Sequence, residues 1–288
     1  MFSQISSLVI MVGYKCNFSC AHCITADKKE CLSPKEVDKI LTAIEQYRIN
    51  SLHFVGGETT LYTREINDIL SRVPHLSNTR VRITTNGHFA RTVNDAIKTL
   101  RTLRRLDYVE LSYDKFHREF LPKQNIANLY KACKKLGKHL GVLFAIQSPL
   151  DLVLLKDIRS VGSFPILIQH VLPFGAAKNN NVAWRNKIET TSLWRRHCPT
   201  KKKLIYMCGQ GFTICCSALT LGTNSRRFLH KTPQEHFESD FYRLMSTCSM
   251  GRLKKQLNID GAIPENKLVS TCTLCEYLFN TKYKLAKV

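Results

Sequence analysis

Leu8-Val9-Ile10-Met11-Val12-Gly13-Tyr14-Lys15-Cys16-Asn17-Phe18-Ser19-Cys20-Ala21-His22-Cys23 sets a short apolar run against a C-x3-C-x2-C loop. Leu8 to Val12 reads as a first strand, and a loop leaving a strand can wrap three thiolates around one ligand. Three rather than four matters, because an iron without a protein ligand stays open to a small molecule. Zinc is the other ligand this spacing allows, with Cys31 or His22 as a fourth donor, although zinc prefers four ligands and paired C-x2-C units.

Outward from this loop, short β-branched runs alternate with helical stretches. Ser33-Pro34-Lys35-Glu36 offers a cap, a proline at the first helical position and a capping-box glutamate; Val37, Ile40, Leu41, Ile44 and Tyr47 then recur at helical spacing. Ser51 to Val55, Arg80 to Thr85, Tyr108 to Ser112, Val142 to Gln147 and Ile166 to Leu172 read as further strands. Helices are predicted around Thr63 to Arg72, Val93 to Leu106, Ile126 to Leu140 and Leu152 to Val161. Six strands in this order predict an α/β fold, a partial (β/α)6 TIM-like barrel over residues 1–173. Such sheets place their chemistry at the C-terminal strand ends. Gly56-Gly57-Glu58, Thr84-Thr85-Asn86-Gly87, Ser112 with Asp114, and Gln147 stand there in turn. Taken singly, each is equally at home as a turn or cap residue.

After Pro173 the texture changes to a linker-like Gly175 to Asn181 and a cysteine-rich remainder, read as a smaller appended module over 174–288. The 288 residues hold twelve cysteines. Met1 to Ser7 shows no basic leader, and no apolar run reaches the roughly 18 residues that span a bilayer. The expectation is therefore a cytoplasmic chain whose close cysteine pairs serve metal or redox chemistry rather than disulfides. Cys133, alone on a predicted helix, reads as a buried structural thiol, as do Cys31 and Cys248. Forty-three Lys and Arg against 22 Asp and Glu leave a charge of +21. That favours an anionic partner, an acidic peptide or a nucleic acid, although the basic residues form no single stripe: Arg195-Arg196, Lys201 to Lys203 and Arg226-Arg227 are scattered.

Cys16 to Cys23, with Phe18 before the second cysteine, resembles the cluster motif of the radical S-adenosylmethionine (SAM) superfamily, and the glycine and Asn-Gly motifs follow in that family's order. The resemblance implies a [4Fe-4S] cluster on Cys16, Cys20 and Cys23. Its free iron would bind SAM, and reductive cleavage of the sulfonium would release a 5′-deoxyadenosyl radical. It further implies SAM or substrate contacts from Gly56, Gly57, Glu58, Thr85, Asn86, Ser112, Asp114 and Gln147. Thr59-Thr60 departs from the proline common after the glutamate.

Cys198-Pro199, Cys215-Cys216 and Cys272-Thr273-Leu274-Cys275 look like ligands of an auxiliary cluster in the superfamily's peptide-modifying members. Leu111 to His117 and Phe174-Gly175-Ala176-Ala177-Lys178 bring the resemblance nearest to peptide epimerases, which turn L- into D-residues. On that resemblance Cys198, Cys215, Cys272 and Cys275 hold a second [4Fe-4S] cluster. Cys216 is then a free thiol that returns hydrogen to Cα; the reverse assignment of Cys215 and Cys216 stays open. Cys208 is an extra thiol, and Thr200 to Lys203 departs from an acidic residue of the related epimerases. The partners implied are a peptide, acidic if the basic charge meets it, and a one-electron reductant such as flavodoxin or ferredoxin. Two alternatives remain: a thioether or carbon–carbon crosslinking maturase of the same superfamily, and a zinc-dependent nucleic-acid-binding protein.

Overall fold

The computed structural model describes residues 5–26, 28–73, 76–221 and 227–284; Met1 to Gln4 and Arg226 lie outside the described residues. Strands β1 (Ser7–Met11), β2 (Ser51–Val55), β3 (Arg80–Thr85), β4 (Tyr108–Ser112), β5 (His139–Ile146) and β6 (Ile166–His170) are joined by β7 (Lys203–Met207) and β8 (Gly211–Thr213). All eight form one sheet in the order β6-β5-β4-β3-β2-β1-β7-β8. Every neighbouring pair is parallel except the β7–β8 hairpin. The sheet is open, with β6 and β8 as its edges. The α/β expectation holds, and the sheet runs on past Pro173, because β7 pairs with β1 from Ser7↔Lys203 to Ile10↔Tyr206.

Alternation along the strands separates two faces. Leu8, Ile10, Leu52, Phe54, Ile83, Val109 and Leu111 are fully buried and form the main core with the flanking helices. The helix Pro34–Gln46 buries Val37, Ile40, Ala43 and Ile44 there. Its capping box forms as the sequence requires, Ser33 donating from backbone (2.9 Å) and hydroxyl (2.7 Å) to Glu36. The other oxygen of Glu36 accepts from Tyr206 Oη (2.9 Å) and Gly209 N (2.8 Å), tying the helix start to the end of β7. The opposite sheet face is polar. Thr84 Oγ1 lies 2.7 Å from His53 Nε2 and donates to Glu110 at 3.1 Å, and Arg82 donates to Glu110 at 3.2 Å.

The helices differ from expectation chiefly at their ends. The stretch predicted over Ile126 to Leu140 is a helix over Lys123–Lys135. Gly137 takes a left-handed conformation (φ 64°) and Lys138 N–H donates back to Cys133 O at 2.9 Å, which stops the helix and releases the chain into β5. The stretch near Leu152 to Val161 divides into a 3-10 turn, Pro149–Leu154, and a short helix, Leu155–Arg159.

Beyond β8, the helix Pro233–Glu238 buries His236 completely, with Nδ1 3.2 Å from His230 Nδ1 and Nε2 without a partner. Burial first, and the neighbouring His230 second, push the His236 pKa down to about 3. The unfolded chain therefore takes up this proton first as pH falls, so the stability contributed is complete above about pH 6.5 and shrinks below it. Urea melts of the metal-free protein at pH 7.5 and 5.5 should show a loss of about 1.4 kcal/mol from this group alone. His236→Leu is expected to narrow the difference between the two pH values by that amount.

Candidate active site

Two strand ends are locked to one carboxylate. Glu58, 1% exposed, follows the Gly56-Gly57 turn at the end of β2. One of its oxygens accepts from Thr60 N (3.0 Å), Thr60 Oγ1 (2.6 Å) and Thr85 Oγ1 (2.6 Å), and the other from Asn86 N (2.7 Å). The carboxylate thus binds the end of β2 to the end of β3. The glycines have a local reason as well. A Cβ on Gly57 would strike the carbonyls of Tyr14 and Lys15, and one on Gly56 the carbonyl of Gly13. Gly57 N donates to Gly13 O and Glu58 N to Lys15 O, both at 2.9 Å, so the turn continues the β1–β2 ladder to the foot of the cysteine loop.

The loop is held from several sides. Asn86 Nδ2 donates to Asn17 Oδ1 at 2.8 Å and points at Cys16 Sγ at 3.7 Å. Phe18 stacks on Phe120 with centroids 5.1 Å apart. Ala176 N donates to Cys23 O (2.8 Å) and Asn180 Nδ2 to Ala21 O (2.9 Å), so the segment after Phe174 clasps the loop. Gly175, at φ 52°, lies against the Cys23 and Ile24 backbone where a side chain would collide. Burial, then Asp114 and the other two loop thiols, push the Cys20 pKa up to about 12.

Asp114, 1% exposed, caps the short helix Lys115–Arg118 through Phe116 N (2.9 Å) and His117 N (3.1 Å). It also faces His117 Nδ1 at 3.0 Å and His22 Nε2 at 3.4 Å. Burial works against this carboxylate, but the His117 contact outweighs it and holds its pKa below the usual range. Burial lowers His22 to about 4. Gln147 accepts from Lys115 Nζ at 2.6 Å, and Ser112 is half-buried at the end of β4. The structure therefore gathers Cys16, Cys20, Cys23, Glu58, Thr85, Asn86 and Asp114 around one loop. Ser112 and Gln147 stand on the neighbouring strand ends.

Sequence reading missed His53, Arg82 and Glu110. Their signal was charged or polar residues at alternate positions of β2, β3 and β4, where apolar ones would fill an ordinary core.

The later cysteines gather elsewhere. Cys198 precedes β7, Cys215 and Cys216 follow β8, and Cys272 and Cys275 lie three apart on the helix Thr271–Tyr283. Cys198, Cys215 and Cys275 are buried, Cys272 is half-buried and Cys216 is exposed. Cys198 Sγ lies 3.2 Å from Thr200 Oγ1 and Cys215 Sγ 3.2 Å from Ser217 Oγ. Burial raises the pKa values of Cys198, Cys215, Cys272 and Cys275, and neighbouring thiols add to this at the last three; the protein crowded around Cys216, then Cys215 and Cys198, push its pKa to about 12 although part of its surface is exposed. Because β8 runs antiparallel, this group stands at the end of the sheet opposite the Cys16–Cys23 loop. Lys203, the first residue of β7, acts electrostatically on both Cys216 and His53. Cys208 lies in the β7–β8 turn, its carbonyl accepting from Tyr14 Oη at 3.1 Å.

The first group offers three thiols on one loop, the donor number that leaves one iron of a [4Fe-4S] cluster open. A zinc ion draws its sulfurs to within about 3.8 Å of each other, from tetrahedral bonds of about 2.3 Å. Among the described residues, no three cysteine sulfurs lie mutually within 4.8 Å, and His22, Asp114 and His117 are the one set of candidate ligands that does. Crowded, buried thiols also call for a cationic group to carry their charge as thiolates.

Residues 10–151 match the Radical SAM superfamily. Those residues form a radical SAM domain. Such a domain implies a [4Fe-4S] cluster and SAM. Over 96% of this radical SAM chain and 92% of the relative, the sequence is 20% identical to YydG of Bacillus subtilis (strain 168), a protein named for peptide biosynthesis. Over 28% of the chain it is 32% identical to a protein of Thermoplasma volcanium named as a GTP 3′,8-cyclase, spanning 26% of that relative's length. Among solved structures it resembles BtrN in complex with AdoMet and 2-DOIA (TM-score 0.49, 12% identity, 88% of this chain and 91% of that one). It also resembles Streptococcus suis SuiB bound to S-adenosylmethionine (TM-score 0.46, 15% identity, 83% and 65%). No helix among the described residues is long and apolar enough to cross a membrane.

Glu58→Gln replaces an acceptor facing donors with an amide that can turn only one oxygen toward them. The unmet bonds are expected to cost about 1–3 kcal/mol, read as a lowered urea midpoint. Thr85→Val removes two bonds, the one Thr85 donates to Glu58 and the one it accepts from Gly87 N at 3.1 Å, and should cost about 1–3 kcal/mol.

Proposed function

We propose that this radical SAM chain epimerises L- to D-residues in a ribosomally made peptide, acting in the cytoplasm. The observation that carries the reading is the placement of two thiol groups at opposite ends of the β1–β7 pair, with Cys216 the exposed member of the second. β1 is five residues long, so its ends stand roughly 15 Å apart, and a peptide between them would be approached from two sides. Inversion at Cα needs that: hydrogen leaves one face and returns to the other. The end-to-end similarity to YydG, named for peptide biosynthesis, supports a peptide as substrate.

In this reading Cys16, Cys20 and Cys23 hold one [4Fe-4S] cluster. Cys198, Cys215, Cys272 and Cys275 hold a second, in an appended module over 174–288. With SAM and a one-electron reductant of flavodoxin or ferredoxin type, the first cluster supplies a 5′-deoxyadenosyl radical able to take a Cα hydrogen. Gly56 and Gly57 keep the backbone open beside the cysteine loop, and Glu58 holds Thr85 and Asn86 in place. Ser112, Asp114 and Gln147 stand at the neighbouring strand ends. Cys216 holds a solvent-exchangeable hydrogen on sulfur at the far end. Each event consumes that hydrogen, and a proton and an electron replace it.

The test is anaerobic reaction of the peptide encoded beside this gene with reconstituted enzyme, SAM and reductant in D2O. The peptide should gain one mass unit per event with its bonding unchanged, and Cys216→Ala should abolish the gain. A peptide two units lighter would establish crosslinking instead, and a Cys216→Ala enzyme that still epimerises would remove the donor role. Iron content checks the clusters separately: a Cys272→Ala/Cys275→Ala variant should fall from about eight irons per chain to about four.

A further inference from the structure

The β6 edge of the sheet is left open in an unusual way. Pro165 O accepts from Val142 N, and Val171 N donates to Ile146 O, both at 2.9 Å. Odd-numbered residues of β6 therefore face β5, and the N–H and C=O groups of Ile166, Ile168 and His170 point away from the sheet. Among the described residues these outward groups have no backbone partner. Leu167 is 59% exposed and Ile168 44%, and they project to opposite faces of the strand. Leu150 (80%) and Val153 (65%) add apolar surface on the turn that leaves β5, the strand next to β6. A long-lived edge of this kind, neither covered nor interrupted by an inward charge, is a template for another strand.

A cation flanks its start. Arg159 donates to Phe164 O at 2.8 Å, just before β6. It is exposed and forms no ion pair among the described residues. His170 stacks flat on Trp184 (4.0 Å, 2°) at the same end of the sheet as the Cys16–Cys23 loop. A strand added here would lead toward that loop.

We propose that β6 is the docking strand for the substrate peptide, which adds to the sheet edge as an extended segment with apolar side chains at its middle and an acidic one beside Arg159. The inference rests on the peptide-modifying reading and names how that peptide is held. Main-chain bonds give such pairing its strength and flanking charges its direction. A second copy of the chain is the poorer occupant, since each copy carries +21 and the two would repel.

The probe is a fluorescein-labelled peptide, acetyl-Glu-Glu-Val-Val-Val-Glu-Glu-amide, titrated by anisotropy with reconstituted holoprotein without reductant. Saturable binding is expected, weakened at least tenfold by Ile168→Pro, whose lost N–H is not part of the β5 ladder. Arg159→Glu should weaken it as well while Arg159→Lys, which keeps the charge, should not, and N-methylation of alternate probe residues should weaken it similarly. No saturable binding, or equal binding to Ile168→Pro and to wild type, overturns the proposal. So does sedimentation showing a wild-type dimer that Ile168→Pro converts to monomer. Failure of the two readings can be told apart. A probe that binds at β6 while the neighbouring peptide is never epimerised sinks the chemistry and leaves the edge, and a peptide epimerised equally by Ile168→Pro sinks the edge alone.

Discussion

Where the chain leaves β1 it runs against the turn after β2 so closely that the carbonyls of Gly13, Tyr14 and Lys15 occupy the space of side chains at positions 56 and 57. Only glycine permits that approach, and it brings Glu58 to the point where it can bind the end of β3. A buried carboxylate is costly unless each lone pair is met, and here Thr60, Thr85 and Asn86 meet them. The carboxylate cannot relax without leaving one of these donors unmet. The loop geometry therefore depends on the ladder: β1, β2 and β3 must be in register for Asn86 to reach both Glu58 and the Cys16–Asn17 segment.

Much of this was legible in residue order because the β/α half of the chain is locally consistent. All six early strands lie where alternation and flanking turns place them, and the cysteine loop and glycine turn stand at strand ends as parallel-sheet logic requires. Helix ends were less legible. Leu136 continues the apolar period of its helix, and only the left-handed Gly137 stops it. The role of Glu58 could not be read either, since a carboxylate after two glycines looks equally fit to meet a ligand or three neighbouring donors.

The polar sheet face was missed for a different reason. His53, Arg82, Thr84 and Glu110 are isolated in sequence and become a network only through the register His53↔Arg82 and Thr84↔Glu110. A pairwise register is a non-local fact. Once paired, the group meets its own hydrogen-bonding needs, so it stiffens the floor of the site while leaving that face open to polar ligands. The helix-side face, closed by Leu52, Phe54, Ile83 and Leu111, carries the hydrophobic stabilisation that lets the other face stay polar.

One reversal of chain direction decides how the second thiol group relates to the first. Were β8 parallel like the rest, Cys215 and Cys216 would emerge beside the Cys16–Cys23 loop and approach a ligand from the same side. The turn Cys208-Gly209-Gln210 prevents this: Gly209 takes φ 74° and Gly211 φ 122°, and Gln210 N closes the turn on Met207 O at 2.9 Å. Gly211 also lies where a Cβ would strike the His230 carbonyl, which pairs with Phe212 N at 2.7 Å. That bridge fixes the far side of the hairpin. Two glycines thus return the chain to the level of Lys203, and the two cysteine groups face one another along the length of the sheet. The separation of the two cysteine groups follows from the sign of φ at two residues.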